Sequence, residues 1–250
     1  MDFISFVASS AIPPAQITAQ AARIHAATLQ QSKWLDGANF TRIHPDDLAF
    51  LFAEYDAAYF GGRIKKALGK TPLQFSLSSR MTSAGGKTYT TTNRKTRERR
   101  YEIGISTAIL YGCFQDDHRP MTACGLACRD RLDALQRIME HEIVHLIEQI
   151  AWAESSCSQP RFQSITGRFF GHTQHKHDLI TPRERARVKF GIQAGSKVRF
   201  RFDGVERVGI VNRVSKRVTV LVEDPNGQRY TNGKFYSKYY IPVQMLQAAE

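Results

Sequence analysis

Residues 129–153 read RDRLDALQRIMEHEIVHLIEQIAWA and contain neither glycine nor proline. Apolar side chains recur at helical spacing along this stretch, which predicts one long helix with a broad apolar face. His141 and His145 are four residues apart, so their imidazoles project from one helix face and can converge on one Zn²⁺ ion. Glu142 can then take a proton from a water that the ion activates, without itself being a ligand. The stretch predicts a catalytic zinc centre; the alternative is a helix carrying two surface histidines and an acid.

A catalytic zinc ion also needs a third protein ligand and an open coordination position. Residues 169–178 read FFGHTQHKHD and offer three histidines. His172 follows a glycine and an aromatic pair and is the first choice, with His175 second and His177 third. The alternative carboxylate ligands are Glu148 and Glu154. Cys124 and Cys128 could contribute to a second, structural zinc site, but their C-x-x-x-C spacing is a weak signal and buried apolar packing is the favoured interpretation.

The segments before the long helix predict further helices and a small sheet. Residues 15–32 favour a helix, and a second helix is expected to begin at His44-Pro45 and to end at Gly61-Gly62. Strands rich in β-branched and aromatic residues are predicted at 73–78, 87–92 and 101–107. After the long helix, residues 155–171 are polar and interrupted by Pro160 and Gly167, and a short helix is predicted at 183–190.

The C-terminal part has a different pattern and a strong positive charge. Short alternating segments from residue 195 onward are separated by turn dipeptides, which predicts a small barrel or SH3-like module. Residues 181–250 hold 14 Lys and Arg against 6 Asp and Glu. This surplus favours polyanions as partners. The residues predicted to contact nucleic acid are Arg94, Lys95, Arg97, Arg99, Arg100, Arg213, Lys216 and Arg217.

Composition limits the class of protein. The 250 residues are 42% hydrophobic, enough for a packed core, and carry 35 Lys and Arg against 23 Asp and Glu, a formal net charge of +12. No apolar run approaches the roughly 20 residues that span a bilayer, so no membrane partner is expected. Four cysteines without a C-x-x-C pair, and no basic start to an N-terminal signal, predict a cytoplasmic location.

Five segments also resemble a known family. They are YDAAYFGGRI at 55–64, SAGGKTY at 83–89, YEIGIS at 101–106, EHEIVH at 140–145 and GH at 171–172. On these segments the chain resembles the SprT-like family of zinc metallopeptidases. The resemblance implies one catalytic zinc ion bound by His141, His145 and His172, with Glu142 as the catalytic base. The segment between His145 and His172 is longer than is usual in that family, and the C-terminal zinc ribbon common in the family is missing.

The resemblance completes the expected architecture. We predict an α+β protein with a zincin-type, minigluzincin-like metallopeptidase domain at 41–190. A helical extension at 1–40 precedes this domain, and a basic SH3-like β-barrel at 195–250 follows it. By analogy of fold, the strand at 101–107 is expected to align a peptide substrate by β-addition.

The function expected from these features is hydrolysis of peptide bonds. The expected substrates are proteins or peptides, with proteins bound or crosslinked to DNA as candidates and DNA repair as the setting. The main alternative is a nucleic-acid-binding protein whose zinc is structural and which has no proteolytic activity. A protein–protein adaptor is a weaker alternative.

Overall fold

The computed structural model describes residues 1–115 and 119–249 of the chain. The protein has a mixed α+β fold and divides into two compact units, Met1–Leu179 and Ile180–Glu250. Among the described residues, no helix combines the length and apolar character needed to cross a membrane.

The first unit contains seven helices and five strands within its described residues. The helices are α1 Phe3–Ser9, α2 Pro14–Gln31, α3 Pro45–Tyr55, α4 Arg63–Leu68, α5 Thr107–Leu110, α6 Arg131–Trp152 and α7 Pro160–Phe170. The strands are β1 Leu73–Ser78, β2 Gly86–Thr92, β3 Arg99–Ser106, β4 Thr122–Ala123 and β5 Leu126–Ala127. A π-helical turn, Asp56–Phe60, extends α3.

Helix α3 begins where the sequence predicts. His44 is its N-cap: the His44 side chain accepts a hydrogen bond from the Asp46 amide, and the Asp47 side chain accepts one from the His44 amide. Pro45 occupies the first turn, where its missing N–H costs nothing. The segment ends at Gly61, whose φ of 58° is a left-handed conformation that suits glycine.

The N-terminal helices are part of the first unit's core. Ile17, Ala21 and Ile24 of α2 are buried. The Tyr59 hydroxyl donates to the backbone carbonyl of Ile17 over 3.0 Å. The residues at 1–40, expected as an extension, therefore pack with the elements that follow them.

Three strands form one mixed sheet in the order β1-β3-β2. Strand β3 pairs in parallel with β1 and antiparallel with β2, so both of its edges are occupied. The expectation that residues 101–107 align a substrate strand is therefore wrong. Among the described residues, β2 pairs on one side only.

Helix α6 is the predicted long helix, and it is buried over most of its length. Asp130 caps its N-terminus by accepting a hydrogen bond from the Asp133 amide over 2.8 Å. The large apolar residues of its first five turns are fully buried, and burial of each Leu or Ile stabilises the fold by about 1.5–3 kcal/mol. They are Leu132, Leu135, Ile138, Met139, Ile143, Val144, Leu146 and Ile147.

Helix α7 occupies a region that the sequence analysis treats as broken. Pro160 lies in the first turn of the helix and therefore starts it. Phe162, Ile165 and Phe169 are buried on one face, and Gly171 ends the helix at φ 70°.

The second unit is a small sheet preceded by a helix. It contains α8 Pro182–Phe190, β6 Lys197–Phe202, β7 Val205–Val214, β8 Val218–Arg229, β9 Phe235–Ile241 and β10 Gln247–Ala248. Helix α8, which the sequence analysis groups with the metallopeptidase domain, belongs to this unit.

The sheet of the second unit has the order β10-β6-β7-β8-β9 and is open. The prediction of a closed barrel is therefore wrong. Strand β10, which pairs with β6, is only two residues long and does not pair with β9 within the described residues. Alternate side chains of the strands form the core, with Val198, Phe200, Val211, Val218, Val220 and Ile241 among them.

Candidate metal centre

The two histidines of α6 lie side by side on one face of the helix. Their ring centroids are 4.8 Å apart, and the Nε2 atoms of His141 and His145 are 3.1 Å apart. Two nitrogens that bind one tetrahedral zinc ion at its usual bond length are separated by about 3.3 Å. The pair therefore fits a shared ion with only small movement of the rings.

A chain of hydrogen bonds fixes the tautomer of His145. The Ser155 hydroxyl donates its only hydrogen to Glu148 Oε2 over 2.6 Å. Its oxygen must then accept a hydrogen bond from His145 Nδ1, which lies 2.6 Å away. His145 Nδ1 therefore carries the hydrogen, and Nε2 presents its lone pair toward His141.

The carboxylate at the end of this chain is itself held in place. Glu148 is fully buried, and Arg161 Nε donates to its Oε1 over 2.7 Å. A charged partner beyond the ligating imidazole orients the ring and raises its basicity. Glu148, an alternative ligand in the sequence analysis, thus supports His145, while Glu154 pairs with Arg161 in solvent.

Burial keeps both imidazoles neutral. Burial lowers the pKa of His145 to about 4, and burial together with the neighbouring histidines His177 and His145 lowers the pKa of His141 further. Neutral imidazole is the form that binds a metal ion, so at pH 7 neither ring has to lose a proton first.

Cys157 brings a third potential ligating atom close to this pair. It lies between α6 and α7, and its sulfur and one ring nitrogen each from His141 and His145 lie within 4.8 Å of one another. Burial raises the pKa of this half-buried thiol. A thiolate is a good zinc ligand, so the donor set of two imidazoles and one sulfur suits zinc.

His172, the first choice from sequence, is held elsewhere. Its Nε2 donates to the fully buried Glu140 Oε2 over 2.7 Å. Glu140 also accepts hydrogen bonds from Tyr55 and Arg137. Burial alone would raise the pKa of Glu140, but the charge of Arg137 and the hydrogen bond from His172 keep it low. His172 belongs to neither group of converging ligating atoms in the described part of the chain.

The other two histidines of the segment differ from each other. His175 Nδ1 lies 3.5 Å from the Gln163 amide nitrogen. His177 packs against His141 with ring centroids 4.3 Å apart. One ring nitrogen of His141, one of His177 and the Cys124 sulfur form a second group of potential ligating atoms, all within 4.8 Å of one another. Cys128 is in neither group, so the Cys124–Cys128 pairing has no support from the structure.

Glu142 follows His141 on α6 and is buried. The Thr88 hydroxyl of β2 lies 2.8 Å from Glu142 Oε2 and 3.0 Å from the Glu142 backbone carbonyl, and it shares its one hydrogen between them. Burial raises the pKa of Glu142 to about 7, against the hydrogen bonds from Thr88. A Cβ atom at Gly86 would lie 2.8 Å from Glu142 Cγ, so only glycine lets β2 approach the carboxylate this closely.

The residues predicted to contact nucleic acid are exposed and fall in two places. Those from Arg94 to Arg100 lie in the β2–β3 turn and at the start of β3, where Arg99 and Arg100 line a cavity of about 600 Å³ together with Lys70. Arg213, Lys216 and Arg217 lie at the end of β7 and in the β7–β8 turn of the second unit.

Ser155 and Thr88 are not among the residues predicted from sequence, and neither Cys157 nor Cys124 is predicted as a ligand beside His141. The sequence signal for Cys157 is its position just before Pro160. This proline starts α7, so Cys157 lies in a short turn between two helices. The other three positions depend on contacts between segments far apart in the chain.

Comparison with protein-family models, with curated proteins and with solved structures finds no match to the chain. The resemblance to the SprT-like family therefore stays a prediction that rests on the quoted segments.

Proposed function

We propose that the chain is a zinc-dependent peptidase of SprT type whose zinc ion is bound by His141, His145 and Cys157. The observation that carries the proposal is the imidazole pair: two Nε2 atoms 3.1 Å apart, one of them fixed as an acceptor by Ser155. A structural helix needs no such arrangement. Cys157 replaces His172 in the proposed ligand set because its sulfur converges on the pair and His172 is bonded to Glu140.

Bound zinc would supply Lewis acidity toward a substrate carbonyl and toward water. Glu142 is the proposed proton acceptor. With a pKa of about 7, its carboxyl group can take up a proton and return it near neutral pH. Thr88 orients the carboxylate by holding Oε2, while Oε1 lies over Gly86.

The proposed substrate-aligning element is β2. It is an edge strand, and an extended peptide can add to such an edge through main-chain hydrogen bonds. Thr88 and Gly86 on this strand contact Glu142 directly, so a peptide on β2 would run beside the proposed catalytic carboxyl group.

Nucleic acid is the proposed partner of the second unit, and nucleic-acid binding with a structural zinc ion and no proteolytic activity is the second candidate function. The positive surplus of residues 181–250 favours it. The buried Glu142 favours the peptidase, because a structural zinc site does not need a carboxyl group that titrates near neutral pH.

Cleavage of a DNA-binding protein, such as a histone, tests the proposal. The zinc-loaded chain should cleave it, a chelator should stop cleavage, and added zinc should restore it. Cys157→Ser should lower zinc affinity, whereas His172→Ala should lower thermal stability and retain zinc. If His172→Ala lowers zinc affinity and Cys157→Ser does not, His172 is the third ligand. Cleavage that continues in the presence of the chelator would contradict the zinc mechanism.

A further inference from the structure

Cys124 is held in a strained conformation beside His141. It lies in the β4–β5 turn with φ 54°, a left-handed conformation that is uncommon for residues other than glycine. Its sulfur is 3.9 Å from His141 Nδ1, on the ring edge opposite the nitrogen that faces His145. Strain of this kind persists only where surrounding structure enforces it, and it concentrates at functional sites.

The segment that carries His177 enforces this conformation. The Cys124 amide donates to the Lys176 carbonyl over 2.9 Å, and the amides of Thr173 and Gln174 both donate to the Cys124 carbonyl over 3.1 Å. A Cβ atom at Gly125 would lie 2.0 Å from Thr173 Oγ1, so the turn and the segment are in close contact. The same hydrogen bonds therefore place both Cys124 and His177 against His141.

His177 brings a buried nitrogen that has no hydrogen-bond partner. Its Nε2 is among the buried polar atoms without a partner. On its other side Nδ1 lies close to Gly85, the residue before β2, since a Cβ atom at Gly85 would be 3.1 Å from it. An unpaired buried polar atom destabilises the folded chain, and a bound cation would give this nitrogen a partner.

The tautomer of His141 can direct a lone pair toward these two groups. His145 Nε2 presents a lone pair, so His141 Nε2 at 3.1 Å must share a cation with it or donate a hydrogen to it. In the second case His141 Nδ1 carries the lone pair, and it faces the Cys124 sulfur.

We propose that Cys124, His141 and His177 form a second metal position for a borderline-soft divalent cation such as Zn²⁺. The three ligating atoms lie within 4.8 Å of one another, and the 3.9 Å from sulfur to Nδ1 compares with about 3.6 Å expected around tetrahedral zinc. The Cys124 thiol, whose pKa burial raises, must lose its proton on binding.

The two positions exclude each other because they share His141. A neutral imidazole has one lone pair, so His141 binds an ion either through Nε2 with His145 or through Nδ1 with Cys124. The chain should therefore bind a single equivalent of zinc, and the fraction of molecules with zinc at the second position should be inactive in hydrolysis at any zinc concentration. Only this last consequence rests on the proposed peptidase function.

The test is cobalt binding by the full chain with the first position disabled. In the His145→Ala/Cys157→Ser background, Co²⁺ should bind and give a sulfur-to-cobalt charge-transfer band. Adding Cys124→Ser should abolish the band, and adding the matched control Cys128→Ser should leave it. His177→Ala should weaken binding by more than the roughly 10–100-fold that loss of an outer hydrogen-bond partner costs.

A background that binds no cobalt, or a band that survives Cys124→Ser, would overturn the proposal. Circular dichroism and a melting curve establish that the background is folded. If it is not, His145→Gln/Cys157→Ser, which conserves volume better, replaces it under the same criteria. Because the readout is cobalt binding without the first position, failure here is separate from failure of the peptidase proposal.

Discussion

Replacing Ser155 by alanine tests whether the residues behind His145 prepare it for a metal ion. Ser155 accepts from His145 Nδ1 and donates to the fully buried Glu148, each over 2.6 Å. Alanine leaves both groups without this partner and frees the tautomer of the ring. Loss of such an outer partner lowers metal affinity by about 10–100-fold. That factor corresponds to about 1.4–2.8 kcal/mol of binding free energy.

The assay is competition for Zn²⁺ between the protein and a chromophoric chelator at pH 7. Ser155→Ala should weaken zinc binding by this factor and should also lower the free energy of unfolding of the metal-free chain by about 1–3 kcal/mol. Ser155→Thr keeps the hydroxyl and should restore most of the affinity. Ser158→Ala is the matched control, because the Ser158 hydroxyl bonds to the Ser156 hydroxyl in solvent. An unchanged zinc affinity in Ser155→Ala would refute the assigned role of the hydrogen-bond chain.

Three further predictions concern the strand, pH and salt. Gly86→Ala should abolish or sharply reduce hydrolysis, because its Cβ would lie 2.7 Å from Ile138 Cγ2 and 2.8 Å from Glu142 Cγ. Gly104→Ala, whose nearest contact is 3.2 Å to a side-chain hydroxyl, should be milder when both are assayed together. The metal-free chain should lose stability as pH falls from about 6.5 toward 4, because burial lowers the pKa of His145 to about 4 while the unfolded chain takes up protons first. Each such histidine contributes about 1.4 kcal/mol per pH unit, and a flat chemical-denaturation profile would contradict this. Binding to single-stranded DNA should weaken steeply with salt, with a smaller slope in Lys216→Ala/Arg217→Ala; equal slopes would remove that turn from the interface.

Local patterns in the sequence were enough to predict much of the fold. The apolar periodicity and the absence of Gly and Pro gave the bounds of α6 to within two residues, and His44-Pro45 marked the start of α3. The sequence pattern does not predict helix α7, because Pro160 and Gly167 resemble interruptions, although proline is favoured in a first turn. Closure of the C-terminal strands could not be derived, since it depends on how the first and last strands pair.

The candidate site is also predicted only in part by local sequence patterns. Helical spacing alone brings His141 and His145 together. The proposed third ligand depends instead on where the segment after α6 returns, and the three histidines of residues 172–177 are a stronger sequence signal for a ligand than the single Cys157. The pairing of His172 with Glu140 is a contact across 32 positions that spacing cannot reveal. Nor does the sequence predict that the β4–β5 turn, which carries Cys124, forms hydrogen bonds with the segment that carries His177.

The most direct test of the central claim compares the zinc-loaded chain with Glu142→Gln at equal zinc content, using the same protein substrate with and without single-stranded DNA. Glutamine keeps the size of the side chain and cannot accept the proton, so zinc binding and the melting temperature should be retained while cleavage is lost. Cleavage by Glu142→Gln at the wild-type rate would contradict the account.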